Sequence, residues 1–164
     1  MAGARRLDRT RRRIEPLIRR AMHLYGRFAR GLTLGVRAVV LDRQGQVFLV
    51  QHSYVAGWHL PGGGVEAGET IEAALLRELK EEGNIDCIGA PELHGIYFNR
   101  AASRRDHVAL FVVREFRQDA VPVPNHEIVA HGFFPADALP PETGAGTRAR
   151  IAEVLDGVPV RPEW

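Results

Sequence analysis

Three glutamates crowd one short stretch of the chain: Glu78, Glu81 and Glu82 in the run Arg77-Glu78-Leu79-Lys80-Glu81-Glu82-Gly83-Asn84. On an exposed helix, like charges three and four residues apart each cost about 0.2–0.5 kcal/mol. Divalent cations reverse that cost. Hard ions such as Mg²⁺ choose carboxylate oxygens and keep several waters. Glu78, Glu81 and Glu82 are therefore the expected metal ligands. Arg77 precedes Glu81 by four residues on the same helix, so it can hold that carboxylate in one orientation, and Glu69 in the preceding loop can brace the arginine. A solvated helix face is the ordinary reading of a Glu-rich run, but it would not also supply Gly63, Glu69 and Arg77 at their offsets.

From Gly63 the chain reads Gly, five residues, Glu69, seven residues, then Arg77-Glu78, an aliphatic, Lys80, Glu81-Glu82, Gly83, Asn84 and Ile85. This run resembles the Nudix box, with one departure: Asn84 stands where the family has glycine. A helix ending there needs a left-handed residue, and asparagine tolerates that conformation best after glycine. The resemblance implies an α/β (α+β) fold, an α/β/α sandwich with a mixed sheet. It implies Mg²⁺, with Mn²⁺ as a possible substitute, and attack by water on the diphosphate linkage of a nucleoside diphosphate derivative. The products would be a nucleoside monophosphate and a phosphorylated remainder. By the same resemblance the Gly62 carbonyl is a further metal ligand, and the general base is Glu127 on a later loop or, alternatively, Glu81. Tyr54 and Trp58 precede the box where many family members hold the base of the nucleotide, and ordinary packing is the competing role for both. The family's side motifs for ADP-ribose, dinucleoside polyphosphates and coenzyme A are not evident, so the substrate stays open.

The elements that must position these residues follow from pattern. Leu34 to Leu41 and Gln46 to His52 are β-branched or partly alternating runs flanking a turn at Asp42-Arg43-Gln44-Gly45, and they predict two strands. Arg37 on the first of them can reach a phosphate or form a structural ion pair. Thr70 predicts the start of a helix running to about Glu82, since its hydroxyl can accept from a first-turn N–H and Glu72 favours the positive dipole end. Ile71 and Leu75 set an apolar stripe that Glu78 and Glu82 continue, so the buried face turns acidic. Further strands are expected at Cys87–Phe98, His107–Phe116 and Ile128–Phe134, and a closing helix at Ala145–Leu155. Strands, helix, strands, helix predict a mixed sheet covered on both faces.

The formal net charge of +2 hides an asymmetry, because residues 1–30 hold ten arginines against Asp8 and Glu15. The remaining body is acidic, as a cation-collecting site requires. Ile14, Leu17, Ile18, Ala21, Leu24, Tyr25 and Phe28 recur at helical steps, so residues 1–31 read as a basic extension with an amphipathic helix and residues 32–164 as the catalytic domain. That helix suits packing or homodimerisation, an anionic membrane surface, or RNA. Cys87 is the only cysteine, which rules out an intramolecular disulfide and a cysteine-rich zinc site. It and the histidines read as packing or solvent-facing residues. The absence of a long apolar stretch or a secretory signal predicts a cytoplasmic protein. Two rivals remain: a nucleotide-binding module of the same fold without catalysis, and an RNA- or membrane-associated protein acting through the basic helix.

Overall fold

A computed structural model describes Met22 and residues 31–120, 122–124 and 126–164. The amphipathic helix expected over residues 14–28, and the dimer, membrane and RNA roles tied to it, lie outside the described residues apart from Met22. Residues Thr33–Trp164 form one compact unit.

Its elements are β1 (Thr33–Val40), β2 (Val47–His52), α1 (Ile71–Gly83), β3 (Asp86–Cys87), β4 (Glu92–Phe98), β5 (Asp106–Val113), β6 (Phe116–Arg117), β7 (Ile128–Phe134), a 3₁₀ turn (Ala136–Ala138) and α2 (Ala145–Leu155). β5 lies between β1, to which it runs parallel, and β4, to which it runs antiparallel. β2 pairs antiparallel with β7, and β3 with β6. The three-stranded sheet is mixed as expected, but the strands divide among three sheets. The single strand expected over Cys87–Phe98 is two, β3 and β4. The break contains Gly89 and Pro91, and proline cannot donate to a ladder. His107–Phe116 likewise divides into β5 and the start of β6.

Strand alternation feeds two cores on opposite sides of the sheets. Val36, Ala38 and Val40 of β1 join Ala109 and Phe111 of β5 and Ala74, Leu75 and Leu79 of α1. Val39 of β1 and Leu110 and Val112 of β5 face the other way, to Tyr97 of β4 and Ile151 of α2. The helices thus cover opposite faces of the sheet. Among the described residues no helix is long and apolar enough to cross a membrane.

Both ends of α1 have the caps their residues predict. Thr70 Oγ1 accepts from Ala73 N–H at 3.1 Å. Asn84 ends the helix with φ 49° and ψ 37°, and its N–H points to the carbonyls of Leu79 and Lys80. Asparagine therefore does alone what the glycine of the Nudix pattern would do. Gly83 does not share the left-handed turn; it is buried, and a Cβ there would press on Ile85 and Phe48.

Candidate active site

Residues 58–65 cross from one ladder to the other and fix the site between them. His59 exchanges backbone hydrogen bonds with Val50 on β2, at 2.9 and 3.0 Å. Further on, the N–H groups of Val36 and Ala38 on β1 donate to the carbonyls of Gly63 and Pro61, and Val65 N–H donates to Leu34. The glycine run thus lines the free edge of β1. Gly62 has φ +136°, and a side chain there would strike the Val36 carbonyl. Only glycine adopts this conformation readily. At Gly63 a Cβ would meet the Glu78 carboxylate, so the absent side chain is what lets that carboxylate approach the loop.

The last turns of α1 carry the acidic groups into this edge. Glu82 is 6% exposed and its Oε2 accepts from Gly62 N–H at 2.7 Å. Burial, the largest influence, pushes its carboxyl up to about 7; Gly62 N–H and Arg37 pull the other way, while Glu78 and Glu127 add to the rise. Arg77 binds the other carboxylates. Its Nε and Nη2 grip the two oxygens of Glu69 at 3.0 and 3.1 Å, Nη2 also donates to the Gly64 carbonyl at 3.1 Å, and Nη1 donates to Glu78 Oε1 at 2.7 Å. Glu81 is at the far reach of the same Nη1, 3.5 Å away, and its side chain is 60% exposed. The hydrogen bond from Arg77 outweighs all else at Glu69 and holds its carboxyl below the usual range.

A cleft of about 590 Å³ opens beside these groups, lined among others by Arg37, Tyr54, Gly62, Glu78, Glu82 and Glu127. Arg37 Nη1 is buried there and meets no hydrogen-bond partner. A buried, unpaired guanidinium nitrogen is costly, and an anionic ligand would satisfy it. Tyr54 donates to Glu127 Oε1 at 3.3 Å, and burial followed by the Glu127 charge raises its hydroxyl pKa. The Glu127 carbonyl accepts from Ser53 N–H at 2.8 Å, which ties the loop before β7 to the end of β2.

The candidate residues therefore do not all converge. Arg37, Tyr54, Gly62, Glu78, Glu82 and Glu127 share the cleft, whereas Trp58 packs edge-on against Phe134 with ring centroids 4.9 Å apart, and Glu81 faces outward. Among the described residues, no three histidine, cysteine or acidic side chains are close enough to hold a metal ion as they stand. The donor set is nevertheless of the type a hard cation takes: two carboxylates on one wall with backbone carbonyls beside them. Glu78 would have to exchange part of its bond to Arg77 for the ion.

Two contributors escaped the sequence reading. His52, placed there among ordinary packing or solvent-facing histidines, is 7% exposed with neither ring nitrogen hydrogen-bonded; its Nε2 lies 3.5 Å from Glu82 Oε1. Burial first, then Arg37 and His59, lower its pKa, just as burial raises that of Glu82. The signal was its place at the end of a strand that is otherwise buried. His52 thus stands behind Glu82 without lining the cleft itself, whereas Trp164 does line it, and nothing local in the sequence announces that.

Known proteins resemble this chain in sequence and in fold. A NUDIX domain model matches residues 31–155, and the chain belongs to that family. It is 35% identical over 85 residues to the 8-oxo-dGTP diphosphatase of Proteus vulgaris, a match covering 49% of this chain and 75% of that protein. It is 46% identical over 55 residues to human 8-oxo-dGDP phosphatase, covering 32% of this chain but only 17% of that much longer protein. Among solved structures it is similar to the MutT NUDIX hydrolase from Burkholderia pseudomallei, with a TM-score of 0.64, 26% identity and coverage of 74% of this chain and 97% of that one.

Proposed function

We propose that the cleft is the active site of a Mg²⁺-dependent hydrolase that cleaves the diphosphate linkage of a nucleoside diphosphate derivative, releasing a nucleoside monophosphate and a phosphorylated remainder. The observation that carries this reading is the pairing, in one cleft, of Glu78 and Glu82 with the buried, unpartnered Arg37 nitrogen. One wall attracts cations and the other attracts the anion that those cations accompany. The relatives named for diphosphatase activity support the reaction class.

Glu78 and Glu82 would hold Mg²⁺, with Glu81 swinging in from solvent and the Gly62 carbonyl adding a neutral oxygen; Mn²⁺ suits the same oxygens. When bound, the ion supplies charge neutralisation of the diphosphate and acidifies the attacking water. The Gly62 N–H keeps the Glu82 carboxylate turned toward the loop. Arg77, itself held by both oxygens of Glu69, fixes where Glu78 can point. Arg37 binds a phosphate oxygen and restrains the group for in-line attack. Glu127 takes the proton from water, with the Tyr54 hydroxyl holding one of its oxygens; Glu81 is the alternative base. Tyr54 contacts the nucleotide at the cleft mouth, and Trp58 supports the wall from behind.

The test is release of nucleoside monophosphate from a panel of nucleotide sugars, dinucleotides and nucleoside triphosphates, with and without Mg²⁺ or Mn²⁺. Turnover is expected only with metal, and Glu82→Gln should abolish it while leaving the thermal unfolding transition in place. Wild-type turnover in Glu82→Gln would overturn the ligand assignment. Tight nucleotide binding with no turnover on any substrate would favour a non-catalytic module.

A further inference from the structure

The cleft does not end at the acidic wall. Thr33, Gly35 and Arg37 alternate along the same face of β1 and all line it. At about 3.3 Å per residue, Thr33 lies about 13 Å along the strand from Arg37, roughly the length of a nucleotide. At that far end the lining changes character to Thr33, Asn99, Asp106, Val108 and Trp164.

Asp106 sits opposite Thr33 in the parallel ladder, and both of its oxygens are engaged: Thr33 Oγ1 donates to Oδ1 at 2.6 Å and Asn99 Nδ2 donates to Oδ2 at 2.8 Å. This is a fixed polar edge. Trp164 reaches the same end because residues 161–164 return along β4. Phe98 N–H donates to the Pro162 carbonyl at 2.8 Å, and Trp164 N–H donates to the Phe98 carbonyl at 3.1 Å.

That returning segment is clamped from below by a buried ion pair. Arg150 and Glu153, with side chains each 1% exposed, pair at 2.6 Å. Their spare hydrogen-bonding capacity goes to the segment: Arg161 N–H donates to Glu153 Oε1 at 3.2 Å and Arg150 Nη1 donates to the Glu163 carbonyl at 2.9 Å. Tyr97 donates to Glu153 Oε2 at 2.8 Å and meets the Trp164 ring edge-on at 5.7 Å. A buried ion pair is expensive unless its remaining donors and acceptors are satisfied. Here the backbone of residues 161–163 helps satisfy them, and the consequence is that Trp164 is held in the cleft wall, its indole edge against Tyr97 and Gly146.

We infer that Trp164, held by the Arg150–Glu153 clamp, is a specificity-determining residue that receives the nucleobase of the substrate, with Asn99 and Asp106 set to meet the polar edge of the ring. The inference rests on reading the cleft as a nucleotide site. A planar heteroaromatic ring is the part of such a substrate that an indole and a carboxamide–carboxylate edge complement. The phosphates are left to Arg37 and the acidic wall.

The experiment is calorimetric titration of the full chain, in Mg²⁺, with AMP, GMP, CMP and UMP and with ribose 5-phosphate as the probe lacking a base. At least one nucleoside monophosphate should bind more tightly than ribose 5-phosphate. Trp164→Ala should weaken that nucleotide about 5-fold or more while ribose 5-phosphate is unchanged, and Trp164→Phe should restore most of the loss. Unchanged nucleotide affinity in Trp164→Ala, no preference for any base-bearing probe, or equal losses for both kinds of probe would each overturn it, the last by showing a purely structural role. Should Trp164→Ala fail to fold, Trp164→Phe and Trp164→Leu make the same comparison of aromatic with aliphatic. Hydrolysis measured on the same wild-type preparation reads the reaction separately. Turnover without a Trp164 effect sinks the base subsite alone, and a Trp164 effect without turnover sinks the reaction alone.

Discussion

The N–H of Gly62 donates to Glu82 Oε2 at 2.7 Å, joining the glycine run at the edge of β1 to the last turn of α1. One hydrogen bond therefore couples the backbone conformation of the loop to the orientation of a buried carboxylate. Gly62→Ala should lower stability by about 1–3 kcal/mol from the unfavourable positive φ, with more from the collision with the Val36 carbonyl. It should also impair turnover. Chemical denaturation and a metal-supplemented assay check the two effects, and an alanine variant as stable as wild type would show that the loop has another conformation open to it.

Arg77 makes a forked contact with Glu69, and a lysine cannot reproduce it because an ammonium is a point charge without a planar pair of donors. Arg77→Lys should retain the fold and lose activity by about 10–100-fold, the range for groups that orient metal ligands. The loss should appear partly as a higher Mg²⁺ requirement, since Glu78 would no longer be steered. A lysine variant with wild-type kinetics at limiting Mg²⁺ would contradict the orienting role.

Glu127 and Glu81 compete for the role of base, and position separates them: Glu127 lines the cleft with Tyr54, while Glu81 faces outward at the end of Arg77's reach. Glu127→Gln should lower kcat by about 10²–10⁴-fold with little change in Mg²⁺ requirement. Glu81→Gln should instead raise the Mg²⁺ concentration needed for half-maximal rate. If the two phenotypes were exchanged, the roles would be exchanged too.

The clamp between Arg150 and Glu153 carries a pH signature. Burial, the largest influence on the Glu153 carboxyl, raises its pKa, but the hydrogen bonds from Arg150, Tyr97 and Arg161 N–H together outweigh it and leave it below the ordinary value. A carboxyl held low in the folded state contributes stability that is fully present above the unfolded value, about 4.3, and is lost as pH falls through the folded one. Urea midpoints should therefore drop as pH is lowered below about 4.3, and Glu153→Gln should flatten that part of the profile. Arg150→Met, which leaves a buried carboxylate unpaired, should cost about 3–5 kcal/mol near neutral pH. A midpoint unaffected by either substitution would mean the pair is not the buried clamp described.

Much of the chemistry was legible in the sequence because it is encoded over short range. The caps Thr70 and Asn84, the stripe of Ile71, Leu75, Glu78 and Glu82, and the spacing from Gly63 through Glu69 to Arg77 all act within one helix and its flanking loop. Local backbone preference and helical periodicity suffice for such features, and β7 and α2 have the bounds their patterns predicted. The break between β3 and β4 was also written locally, in Pro91, though a continuous strand was the simpler reading.

Only the tertiary structure decided what covers Glu82 and which tryptophan lines the cleft. Periodicity puts Glu82 on the apolar stripe and Glu81 beside it, but the glycine loop that covers Glu82 and leaves Glu81 in solvent is held by β1, whose own place depends on parallel pairing with β5 some seventy residues away. Trp58, close to the box in sequence, turns toward Phe134, whereas Trp164, far from it, enters the cleft because residues 161–164 pair with Phe98 and cap a buried ion pair. Contacts between distant segments depend on burial and on satisfying polar groups across the whole fold, and no local propensity contains that information.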